Sequence, residues 1–162
     1  MPSGTCAWRT SASRRRARPE ERIDVDEPII EREILIDAPP ELVASYFTDP
    51  ARIVQWWATR ADVAPVPRGS IRMEFDKPDG LTDVALGEFV EIGQRRIVFT
   101  WGFEGGVNLP PGSSRVEVTL TPQGNGTRLR LVHRGLPADH FESHETGWSY
   151  FLRRLSEIIK RT

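Results

Sequence analysis

The segment FESHETGWSYFLRRLSEII, Phe141 to Ile159, decides the fold. Phe141, His144, Trp148, Phe151, Leu152, Leu155, Ile158 and Ile159 recur at the spacing of α-helical turns, so they share one apolar stripe, with charged and polar residues between them. The pattern predicts a helix of roughly 20 residues, about 30 Å long. Such a stripe has to be buried against a second layer.

Upstream, the period is two. Ile71, Met73 and Phe75 alternate with Arg72, Glu74 and Asp76; Ile97, Phe99, Trp101 and Phe103 share one face of RRIVFTWGF. Val116, Val118 and Leu120 share one face of RVEVTLT, and Leu129, Leu131 and His133 point inward opposite Arg128, Arg130 and Arg134. Between these runs, Val84 and Leu86 read as inward, Gly87 as a bulge that shifts the parity, and Val90 and Ile92 as inward beyond it. Gln123-Gly124-Asn125-Gly126 reads as a hairpin turn through the positive φ that Asn-Gly tolerates. These strands make a curved antiparallel sheet with one wet face.

Further upstream, IIEREILI (Ile29 to Ile36) reads as a first strand. Asp37-Ala38-Pro39-Pro40-Glu41 supplies an acidic cap and prolines for a helix through Val43 to Phe47. Thr48-Asp49-Pro50 starts a second short helix carrying Ile53, Trp56 and Trp57, before a turn at Ala58 to Arg60. The fold class is therefore α+β, with two short helices after the first strand and the long helix closing the inner sheet face.

Composition bounds the function. The chain has 162 residues with a net charge of −1, but residues 1 to 22 hold six Arg against two Glu and lack any apolar period. They read as a disordered Arg-rich tail, with residues 23–162 forming one domain. The tail lacks the apolar run that twin-arginine export needs, and an organelle transit reading is equally incomplete. The body beyond it is mildly acidic, which argues against nucleic acid and anionic membrane as partners. No run approaches the length of a spanning helix. A lone Cys6 offers neither a disulfide nor a thiolate cluster, and a cytoplasmic location is the simplest reading.

The segments IDAPPELVASYFTDPARIVQWW, GEFVEIGQRRIVFTWGF, RVEVTLTPQGNGTRLRLVHRGL and HETGWSYFLRRL resemble the activator of heat-shock-protein-90 ATPase homologue-like family, within the START-related SRPBCC superfamily. The resemblance runs from Ile29 to about Lys160 and rests on the order of the paired Trp, the TW strand, the H-x-G-L strand end and the H-x-x-G-W helix. It implies a helix-grip (START/Bet v 1-like) fold with a cavity between sheet and helix. Members of the superfamily bind lipids, polyketides or other apolar molecules; some are cyclases or hydrolases and others are co-chaperones. The eukaryotic co-chaperone carries a separate chaperone-binding domain ahead of the helix-grip domain, whereas here a short tail precedes it, so chaperone activation and a stress-response role are not carried over directly.

The expected function is binding of a small hydrophobic or aromatic molecule. The expected lining is Trp57, Phe75, Phe99, Trp101, Phe103, His133, His144, Trp148 and Phe151 with apolar Met73, Val118, Leu131 and Leu152, around roughly 300 to 1,000 Å³. The bland alternative is a solid core. His133 and His144 are candidates to orient a ligand or act as a general base, against the alternative of satisfied buried histidines. His140 and His144 at i, i+4, followed by Glu145, have helix spacing for a metal, but a site needs about three converging ligands and the stripe turns His140 away from the apolar face, so no metal or cofactor is expected. No two carboxylates pair inside, and there is no G-x-S-x-G, P-loop or dinucleotide fingerprint; catalysis is the weaker expectation. Gly102 to Ser114 reads either as a lid or as a solvent loop. A chaperone partner would meet the charged outer face at Arg128 and Arg130. Monomer and homodimer both fit.

Overall fold

The computed structural model describes residues 28–106 and 108–161. The expected tail, with Cys6, lies outside the described residues. The elements run β1 (Ile30–Ile36), α1 (Pro40–Thr48), α2 (Pro50–Trp56), β2 (Arg60–Val63), β3 (Ser70–Asp76), β4 (Thr82–Ile92), β5 (Arg96–Phe103), β6 (Ser114–Gln123), β7 (Gly126–Arg134) and α3 (Ala138–Lys160). All strand pairs are antiparallel, in the order β1-β7-β6-β5-β4-β3-β2. This is the helix-grip arrangement.

The inner face follows the alternation. Ile71, Met73, Ile97, Phe99, Trp101, Val116, Val118, Leu120, Leu129, Leu131 and His133 are all buried. The long helix does not cover them alone. Helix α1 packs against β5, β6 and β7 with Val43, Tyr46 and Phe47 buried, while α3 lies against β1 and α2. Arg32 on β1 ties α3 down, donating to Ser149 Oγ at 2.9 Å and lying 3.3 Å from Glu145.

Five local readings are corrected by the structure. The turn expected at Ala58 to Arg60 leads directly into the edge strand β2, whose four residues are too few to display a period. In β4 the inward residues are Ala85 and Phe89; Val84 and Leu86 are only half-buried, and Val90 is exposed. The register shift falls between Phe89 and Glu91 rather than at Gly87. Asp37 does not cap α1, whose N-cap is Pro39 with no side-chain bond, whereas Asp49 does cap α2 by accepting from the Ala51 amide at 3.0 Å. In the β6–β7 turn the positive φ of 61° belongs to Gly124, the first central residue, as a type II′ turn requires.

Gly87 has a different task. A Cβ there would lie 1.9 Å from the Thr100 carbonyl oxygen, and the Thr100 hydroxyl receives the Glu88 amide at 3.0 Å. The two backbones approach where the ladder is interrupted. Gly87→Ala is therefore expected to destabilise the protein by roughly 1–3 kcal/mol, read as a lower denaturant midpoint at unchanged slope. An unchanged midpoint would contradict the contact.

The outer face is a lattice of ion pairs. Glu117 sits among Arg96, Arg115 and Arg134 at 3.6–3.8 Å, Arg60 pairs with Glu74 and Asp76, and Arg130 pairs with Glu31. Arg128 donates to Gln123. Such exposed pairs contribute little to stability, so the face is a solvated surface whose charges largely answer one another.

Candidate functional site

A pocket of about 220 Å³ opens between the sheet and α3. The inward aromatic residues of β3 and β5 meet the α3 stripe here because both periods bring large rings to the same layer. Trp57, Phe75, Trp101, Phe103, His144, Trp148 and Phe151 line it, all named from the sequence. Met73, Phe99, Val118, Leu131, His133 and Leu152 do not reach its wall and pack in the surrounding core. Asp83, Ser143 and Gly147 also line it and were missed. Ser143 and Gly147 flank the stripe members His144 and Trp148, a signal the sequence did offer. Asp83 sits on a strand whose parity was misread. The volume is below the expected range, because three indoles fill much of the space.

Trp57 is the hub. It stacks on Trp56 at 5.1 Å and 25° and on Trp101 at 5.2 Å and 16°, and meets Trp148 at 5.4 Å. Trp56 is anchored by its own N–H, which donates to the Tyr46 carbonyl at 2.9 Å. Phe75, Phe99 and Phe103 set their edges against Trp101 at 5.8–6.2 Å, the T-shaped geometry the ring quadrupoles favour. The Trp101 N–H is buried with no hydrogen-bond partner among the described residues.

His133 joins sheet to helix through a directed chain. The Trp148 indole N–H donates to His133 Nδ1 at 3.0 Å. Because indole nitrogen is only a donor, Nδ1 is the acceptor and the proton of the neutral ring sits on Nε2. Nε2 then donates to Ser114 Oγ at 2.8 Å, and the Ser114 hydroxyl donates to the Trp101 carbonyl at 2.7 Å. Burial, and then the neighbouring His144, push the His133 pKa down to about 3. A fully buried imidazole with both nitrogens engaged is a structural brace and has no lone pair to offer a substrate.

His144 is different. It is half-buried on the pocket wall, 5.4 Å ring to ring from His133. Its Nδ1 lies 2.9 Å from the His140 carbonyl. Burial lowers its pKa first; the bond to the His140 carbonyl acts in the opposite sense and the His140 charge in the same sense. It is therefore held neutral near neutral pH. Among the described residues no three His, Cys, Asp or Glu side chains are grouped as a metal site would require, and no helix is long and apolar enough to cross a membrane.

The segment from Gly102 to Ser114 is pinned. Leu109 is fully buried, its carbonyl accepts the Phe103 amide at 2.9 Å, and Asn108 donates to Asp139 at the start of α3 at 3.0 Å. Of its described residues only Phe103, at the end of β5, lines the pocket.

The family model for activator of Hsp90 ATPase homolog 1-like protein matches residues 37–160. The chain belongs to this family. Its solved relatives share the architecture. Protein CV1439 from Chromobacterium violaceum superposes with a TM-score of 0.72 at 26% identity, covering 81% of this chain and 96% of that one. DynU16, described as a protein in the dynemicin biosynthetic locus, gives 0.68 at 25% identity, over 82% of this chain and 47% of that one. CalU16 from Micromonospora echinospora gives 0.65 at 24% identity, over 83% and 85%. No curated protein matches the chain. Family membership brings the helix-grip fold, and in this chain the pocket lies between sheet and long helix.

Proposed function

We propose that this protein is a START-like binding module that takes a small hydrophobic or aromatic molecule into the pocket between β3, β5 and α3. The observation that carries this reading is Gly147. It sits inside the 23-residue helix α3, where glycine costs about 1 kcal/mol relative to alanine, and a Cβ added there would meet no atom within 4 Å. No packing need explains it. The helix forgoes stability at a position on the pocket wall, and six Trp and Phe rings line the same space.

The volume supports a ligand of about one ring with a short substituent, since a dry cavity of about 150 Å³ accepts benzene. A lipid chain or a multi-ring product would need the pocket to widen. His133 is spent on Trp148 and Ser114, so a general-base role would fall to His144.

Gly147→Ala is expected to raise stability by about 0.5–1 kcal/mol through helix propensity alone. Gly147→Leu is expected to leave the fold intact and abolish uptake of toluene, followed by calorimetry or by indole fluorescence. Toluene binding that survives the leucine would remove the pocket from the reading. The chaperone-partner alternative predicts altered chaperone ATPase rate on charge reversal at Arg128 or Arg130. The pairing of outer-face charges with one another gives it no particular support.

A further inference from the structure

Asp83, Ser143 and His144 bring acceptors to the pocket wall, and this bears on what kind of molecule the binding reading above admits. The His140 carbonyl can only accept, so His144 Nδ1 carries the ring proton and Nε2 is left as an acceptor. Neighbouring Ser143 donates its hydroxyl proton to the same carbonyl at 3.2 Å, which leaves its lone pairs. Asp83 supplies a carboxylate, 3.3 Å from the Lys77 ammonium, and is the one charged residue of the lining. No lysine or arginine lines the pocket among the described residues. The Trp148 N–H is committed to His133, and the Trp101 N–H is buried without a hydrogen-bond partner among the described residues.

We infer that the pocket selects a small aromatic amine, carried as its ammonium ion, over a carboxylate of the same size. An ammonium group has donors and no acceptor, the complement of Asp83, Ser143 and His144. The Trp and Phe rings of the lining carry negative faces, and an organic cation seated over one of them is attracted once water is displaced. A carboxylate would bring further acceptors to acceptors and a second negative charge beside Asp83. The small volume admits a single ring with a one-carbon or two-carbon arm.

The test uses the full chain and four probes that share one ring and differ at one group: benzylammonium, benzyl alcohol, toluene and benzoate. Dissociation constants are read by calorimetry near neutral pH. Benzylammonium is expected to bind about tenfold tighter than toluene, with benzyl alcohol between them and benzoate weakest. Asp83→Asn, at an exposed position, is expected to weaken benzylammonium about threefold to tenfold more than it weakens toluene. His144→Phe, which keeps an aromatic wall and removes the acceptor, is expected to narrow the gap between benzyl alcohol and toluene. Equal affinity for benzylammonium and toluene, or tighter binding of benzoate, overturns the selectivity while leaving the pocket as a binding site. Failure of all four probes to bind the folded protein overturns the binding reading itself, and the selectivity with it.

Discussion

Lowering the pH from about 7.5 to about 5 is expected to remove about 2 kcal/mol of folding stability through His133 alone. The native pKa of about 3 lies well below the ordinary histidine value of 6.5. Between those two values the unfolded chain holds a proton that the native protein does not. Stability therefore falls as the pH falls below 6.5, with a limiting slope of about 1.4 kcal/mol per pH unit, and this group contributes no pH dependence well above 6.5. His144 is shifted in the same direction and adds to the loss. The carboxylates held low, Glu74 by Arg60 and Arg72, Asp76 by Arg60 and Thr82, and Asp139 by Asn108, act in the same sense only in more acid solution. Denaturant melts across this window would read the slope. His133→Gln, which keeps a donor and an acceptor, should flatten it by about one proton; an unchanged slope would mean that His133 is not the buried group that resists protonation.

Trp57→Ala is expected to cost about 3–5 kcal/mol, enough to leave a marginally stable domain largely unfolded at physiological temperature. The indole is nearly fully buried and touches Phe47, Trp56, Phe99, Trp101 and Trp148, so its removal leaves a cavity bounded by rings that are fixed on separate elements. They cannot all collapse into it at once. Trp57→Phe should recover more than half of the loss, since the stack on Trp101 survives in part. A cost below about 1 kcal/mol for the alanine would show that the ring cluster repacks freely.

Where the pattern was strictly local, the sequence was readable. The stripe from Phe141 to Ile159 became a helix of 23 residues, Ala138–Lys160, and the alternations of β3, β5, β6 and β7 became the inner sheet face. Two features escaped for the same reason. In β4, Val84, Leu86 and Val90 look as apolar as Ala85 and Phe89, and only the register against β5 decides which set turns inward. In β2, four residues become a strand because β3 offers a ladder to join.

For the candidate site, the residue types were legible and their roles were not. Both histidines were placed on inward positions, and both are there, but the indole of Trp148 makes one a brace and the carbonyl of His140 leaves the other an open acceptor. Met73, Phe99, Val118, Leu131, His133 and Leu152 share the inward face with the lining residues yet lie away from the pocket. Periodicity names the face on which a side chain stands, because that is a property of the backbone repeat. The depth at which it stands, the partner of its polar atoms and the volume left between elements depend on how sheet curvature and helix position combine, and these follow only from contacts between residues far apart in the chain.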